Sequence, residues 1–130
     1  MENSFHILHK IMRPLDERLI QYAIDIGTFT NQLPSNRFAN HIAGQLIRSG
    51  TSPAANYAEA RGAESNKDFI HKLSICLKEL RETQVWLSMI IASELLTHDQ
   101  VASLFDETLQ LTKIIAKSIL TAKQNSKRKR

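Results

Sequence analysis

The 130-residue sequence predicts an all-α protein, an antiparallel up-and-down four-helix bundle with a long second helix, kinked at Pro53, and a long third helix. Three observations predict it. Apolar residues recur at spacings of three and four in four separate segments, and no stretch alternates as a half-buried strand does. Leu, Ile, Ala, Lys, Glu and Gln dominate, all of them compatible with long helices, while four Gly and three Pro leave few places for turns. The breaks between periodic segments are short, which sets consecutive helices antiparallel and side by side. A chain of this length can bury one core without disulfides or metals.

The first helix begins at "RPLDER", where Pro14 suits the first turn and Asp16 and Glu17 complement the helix dipole. Leu15, Leu19, Tyr22, Ala23, Ile26 and Phe29 supply its buried side. "NQLPSN" ends it, with Pro34 as the stop and Ser35 as the expected cap of the next helix. The second helix runs from about residue 36 to 62, with Phe38, Ile42 and Leu46 as its apolar stripe and Gly62 as its end. Pro53 removes a hydrogen bond to the carbonyl of Ser49 and should bend the helix there.

The third helix opens on a capping box, Ser65 to Asp68, and carries the most regular pattern in the chain. Phe69, Leu73, Cys76, Leu80, Thr83, Leu87 and Ile90 alternate spacings of four and three over three heptads. The fourth opens on a second box, Thr97 to Gln100, and buries Val101, Leu104, Phe105, Thr108, Ile115 and Ile119. At 1.5 Å per residue the second and third helices are each roughly 40 Å long and should form the spine.

Two polar stripes flank this core. Arg48, Ser52, Asn56 and Glu59 fall within about 80° of one another on the second helix. On the third, Lys72, Glu79 and Trp86 repeat every seven residues with Glu82 nearby. Facing each other, the stripes would pair Arg48 with Glu79 or Glu82, with Ser52 and Asn56 completing the hydrogen bonds that burial demands. Such a network fixes helix register more than it stabilises, because a slip strands a charge. Small residues around it, among them Gly44, Gly50 and Ala54, permit close helix approach.

The charge balance points to one end. Residues 123–130, "KQNSKRKR", hold five of the 17 Lys and Arg and no acid, so the other 122 residues carry 12 basic and 13 acidic side chains, a net of −1. Residues 1–122 are therefore expected as the bundle and residues 123–130 as a basic, disordered tail. A single cysteine, Cys76, excludes an intramolecular disulfide and favours a reducing compartment. The amino terminus has no continuous apolar core of a signal peptide, and no run of about 18 apolar residues exists to span a membrane. A cytoplasmic location is expected.

Chemistry-bearing arrangements are sparse. Ser52 has no histidine in its stripe to act as a base, so no nucleophilic site is read there. "DFIH", Asp68 to His71, resembles one half of a di-iron ligand set, but Asp68 already serves the cap. "HILH", His6 and His9, lacks partners, Cys76 lies on the apolar seam without a histidine beside it, and Trp86 has the setting of a packed residue rather than a base-stacking platform. No phosphate-binding loop is present. The expectation is of no enzyme activity, no metal and no cofactor.

The block "QLIRSGTSPAANYAEARGAESNKDFIHKLSICLKELRETQVWL", Gln45 to Leu87, resembles the signature of the small bacterial four helix bundle proteins. That family includes proteins encoded in intervening sequences of large-subunit ribosomal RNA genes and accessory proteins of diversity-generating retroelements. Arg48, Ser52, Pro53, Asn56, Glu59, Ser65, Asp68, Phe69, Glu79, Glu82 and Trp86 match its pattern, and weaker similarity covers most of residues 15 to 122. "NYAEA" stands where many members have "NIAEG", and the glycine is delayed to Gly62. The resemblance implies a homo-oligomeric ring, commonly a pentamer, that binds RNA or DNA, and a possible partner in a reverse transcriptase or another RNA-handling protein. The residues expected to touch nucleic acid are Lys113 and Lys117 on the fourth helix and Lys123, Lys127, Arg128, Lys129 and Arg130 in the tail. Lysines and arginines there would gain affinity by releasing counterions and carry little sequence information. The alternative is a protein-interaction scaffold with no nucleic-acid contact.

Overall fold

Helix α1 (Pro14–Thr30) starts where the sequence places it, and a computed structural model describes the chain from there through residue 128. Helices α2 (Arg37–Arg61), α3 (Asn66–Ala92) and α4 (His98–Arg128) follow, and among the described residues there are no strands. Each helix packs on its sequence neighbours, α2 against α3 most extensively, which gives the up-and-down four-helix bundle. No described helix is long and apolar enough to cross a membrane.

The caps explain the boundaries. Asn36, not Ser35, caps α2: its Oδ1 accepts the backbone N–H of Ala39 at 2.9 Å. Both residues are capping types, and the one that precedes the first helical residue by the right offset takes the role. Ser65 caps α3 by accepting the Asp68 N–H at 3.0 Å. At α4 the box is reciprocal, with the Thr97 N–H donating to Gln100 Oε1 at 2.9 Å and the Gln100 N–H to Thr97 Oγ1 at 3.2 Å. Glu94, at φ 61°, turns the chain out of α3 in the left-handed region, where a non-glycine residue carries some strain.

The core follows the predicted seams, with Leu15, Ala23, Phe69, Leu104 and Phe105 only half-buried at its margin and one change on α2. Leu73, Cys76, Leu80, Thr83, Leu87 and Ile90 are all buried on α3, as the heptads require. On α2, however, Phe38 is 48% exposed and Ala39 is buried in its place, because the buried line is centred on Ile42 and Leu46 and position 38 falls at its edge. Helix α4 is the longest element, and residues 123–128, expected in a disordered tail, form its last turns. Lys, Gln and Arg are good helix formers, and the end is anchored: Ala122 is buried and its carbonyl accepts Asn66 Nδ2 at 2.8 Å. Helix α2 runs through Pro53 as a single element, with the buried thiol of Cys76 3.5 Å from the Pro53 carbonyl.

Midway along the bundle each helix sends one hydroxyl inward. Tyr22 of α1 and Thr108 of α4 share a hydrogen bond of 2.7 Å, and Ser49 of α2 and Thr83 of α3 share one of 2.8 Å. Thr83 and Thr108 also donate to the carbonyls of Glu79 and Leu104 one turn back. Burial demands such partners, and their pairing fixes which turns of the four helices stand level. A second inter-helix tie joins Arg18 to Glu107 and Gln110, and a third joins Arg61 to the buried Asp16.

Candidate nucleic-acid interface

Helix α4 is divided by charge. Residues 98–107 contain Asp99, Asp106 and Glu107 and no Lys or Arg, whereas residues 108–128 contain Lys113, Lys117, Lys123, Lys127 and Arg128 and no acid. The division suits the helix, since acids at the amino end and bases at the carboxyl end both oppose the macrodipole. At 100° per residue Lys113, Lys117, Lys127 and Arg128 fall in one sector of about 100°, and at 1.5 Å per residue they extend over roughly 20 Å. Lys123 lies outside that sector. All five cations are exposed, and none has an ion pair with another described residue. Lys129 and Arg130, with His6 and His9, lie outside the described residues.

The polar stripes meet between α2 and α3 of one chain. Arg48 Nη1 reaches Glu79 Oε2 at 2.9 Å, its other terminal nitrogen pairs with Glu82, and its Nε donates to Gln45 at 3.2 Å. Ser52 and Asn56 do not join that pair. Asn56 Nδ2 donates back to the Ser52 carbonyl at 3.0 Å and to Ser52 Oγ at 2.9 Å, so the two satisfy each other within α2. Glu59 pairs instead with Lys72 at 3.0 Å, and its hydrogen bond and charge raise the Lys72 pKa. The expected single network is three separate groups, because Glu59 is level with Lys72 on α3, about two turns before Glu79, and Ser52 and Asn56 between them bond only to each other.

Two features of this surface have no sequence signature. Between the start of α3 and the last turns of α4 lies a hollow of about 440 Å³, lined by Asn66, Phe69, Ile114, Lys117, Ser118, Thr121, Ala122 and Asn125. Its walls come from segments some fifty residues apart, so only the packing creates it. At the other end of the α2–α3 pair, Trp86 meets His41 edge-on with ring centroids 6.0 Å apart. The Trp86 indole N–H is enclosed and has no hydrogen-bond partner among the described residues. Phe38 and Met89 at the same end are 48% and 39% exposed, and Val85 is 51% exposed.

The other chemistry-bearing residues have ordinary surroundings. The Ser52 hydroxyl accepts an amide donor and bonds to no base among the described residues. Burial pushes the Cys76 thiol up to about 12, which keeps it protonated and unreactive at neutral pH.

Residues 17–117 match the 23S rRNA-intervening sequence protein family. The chain is also similar to a crystal structure of a protein with unknown function from the S23 ribosomal protein family of Bacteroides thetaiotaomicron VPI-5482, with a TM-score of 0.75 and 34% sequence identity. The similarity covers 80% of this chain and 96% of that one. No curated protein matches.

Proposed function

Since this chain belongs to the 23S rRNA-intervening sequence protein family, we propose that it is a non-enzymatic bundle that assembles with copies of itself and binds nucleic acid through α4 as an accessory or architectural factor in the cytoplasm. The observation that carries the reading is the unpaired cationic face of Lys113, Lys117, Lys127 and Arg128 on a body otherwise close to neutral. A rigid helix presenting these charges holds them at fixed spacing along a phosphate backbone, which a disordered tail would not do. The natural partner of such a protein is an RNA-handling enzyme, a reverse transcriptase among them.

The binding test is a salt series with labelled RNA and DNA, comparing the intact chain with K113E/K117E/K127E. Affinity should fall steeply as salt rises, with the triple variant weaker by at least a hundredfold at low salt and its salt slope shallower by about two or more in log–log terms. If neither form binds at low salt, the nucleic-acid reading fails and the basic helix is a docking element for an acidic protein.

Self-assembly, a ring of five by resemblance, is supported by the exposed Phe38, Val85 and Met89 around the enclosed Trp86 N–H. Exposed apolar groups gathered at one end are characteristic of association surfaces. In a ring, contacts too weak singly would combine by avidity. Light scattering should give a multiple of the single-chain mass for the intact protein and a single-chain mass for F38D/M89E, with nucleic-acid affinity down at least tenfold in the variant. A single-chain mass for the intact protein would rule out the ring.

A further inference from the structure

The cationic face of α4 borders the hollow at the foot of the α3–α4 pair, and the two share Lys117. Around that hollow the residue types change from those of a counterion surface to those that meet a nucleobase. Phe69, half-buried, and Ile114 form an apolar wall, and Thr121 and Asn125 line the rim beside Lys117. The side chains of Thr121, Asn125 and Lys117 make no hydrogen bond to another described residue, whereas Asn66 is held by the Ala122 carbonyl and Ser126. Arg128 lines a second recess with Asn66, Asn125 and Ser126, immediately next to the first. An apolar wall, free amide and hydroxyl groups and flanking cations are thus brought together within about four turns of α4.

Resting on the nucleic-acid reading above, we infer that this hollow seats one unstacked base of a single strand, with Lys117 and Arg128 on the phosphates to either side. A volume of about 440 Å³ is in the range of small-ligand pockets and exceeds what a lone apolar side chain would fill. The base would lie against Phe69 and Ile114, and Asn125 and Thr121 would meet its polar edge, which any of the four bases can satisfy in part. A duplex cannot enter without first turning a base out of its stack, which costs pairing and stacking. The hollow therefore adds a preference for single strands over duplexes to a charge interaction that has none. RNA and DNA share the chemistry used here, and the 2′-hydroxyl alone separates them.

The test uses the full chain and three probes of equal length: a single strand, the matched duplex, and a single strand with abasic sites through its middle. The abasic strand keeps every phosphate and lacks the bases. We expect it to bind about tenfold more weakly than the intact strand, with an unchanged salt slope, and RNA and DNA versions to rank in the same order. Thr121→Trp, which fills the hollow from an exposed position without changing charge, should lower single-strand affinity about tenfold, bring it to the abasic level, and leave duplex binding as it was. A thermal midpoint within a few degrees of the parent shows that the variant is folded. Photocrosslinks from a 4-thiouridine strand should map to the peptides around Phe69 and Thr121. If abasic and intact strands bind alike, or Thr121→Trp weakens neither, the hollow takes no base and the charge reading stands alone. If the unmodified protein binds none of the probes at low salt, both readings fall together.

Discussion

Gly50→Ala is expected to destabilise the bundle by about 2 kcal/mol, although alanine is the better helix former by about 1 kcal/mol. A Cβ built at Gly50 would lie 2.6, 2.8 and 3.0 Å from Cγ1, Cγ2 and Cδ1 of Ile26. Ile26 is fully buried and is branched at Cβ, so its two γ carbons clear the added methyl only by leaving the one χ1 rotamer a helix favours or by a shift of the backbone. Helices α1 and α2 would have to part. Gly27 and Gly44 provide the internal controls. Both are helical and a Cβ at either meets nothing within 4 Å, so Gly27→Ala and Gly44→Ala should each stabilise by about 0.5–1 kcal/mol. Urea unfolding of the three single variants tests the contrast. Adding Ile26→Ala to Gly50→Ala should then cost less than Ile26→Ala costs alone, because the added methyl partly fills the space vacated. Equal, favourable effects at all three glycines would mean that α1 and α2 are not in contact at Gly50.

That contrast marks the limit of what the sequence discloses. Gly44 and Gly50 are both small residues in the same helix, and periodicity places both near an interface. Only the α1–α2 crossing decides that one touches Ile26 and the other faces open space. The same limit applies to the hydroxyl layer. Tyr22, Thr83 and Thr108 are legible as seam positions, but nothing along the chain says that they stand level with one another and with Ser49. Signals that act within one or two turns are legible in the sequence: the heptads of α3, the Ser65 box, the reciprocal Thr97–Gln100 box. Pairing of Arg48 with Glu79 and Glu82 was also legible, because a seven-residue repeat on α3 fixes which side chains face α2.

Where sequence and structure differ, the cause is shared. Asn36 takes the cap from Ser35 by one residue of local offset, and Phe38 leaves the buried line by one position on the wheel, a precision that propensity and spacing do not reach. Composition alone predicts a disordered tail at the basic end. Its helix persists because Ala122 is buried and Asn66 of a distant segment reaches its carbonyl, a contact that composition cannot contain. The correction matters for function. It converts an unordered cluster of charges into a face with spacing and a hollow beside it.

Alkaline pH should unfold the bundle through two buried groups. Burial pushes the Tyr22 hydroxyl up to about 12, with its hydrogen bond to Thr108 pulling the other way, and burial likewise holds the Cys76 thiol at about 12. In the unfolded chain the thiol and phenol ionise at their ordinary values of 9.0 and 10.0. Between those values and 12 the unfolded state binds fewer protons than the folded one, so stability falls as pH rises, and the full contribution is present only below about pH 9. Each pH unit in that interval removes about 1.4 kcal/mol per group, so by pH 11 the loss is on the order of 4 kcal/mol, a large part of the stability of a small domain. Lys72 at the surface, raised by Glu59, acts in the same direction but is screened by solvent. Urea midpoints at pH 8, 9, 10 and 11 read the effect directly. Cys76→Ala should delay the onset of the decline from about pH 9 to about pH 10, and C76A/Y22F should flatten most of it. A decline that the double variant leaves unchanged would assign the alkaline loss to surface lysines and remove Tyr22 and Cys76 from the account.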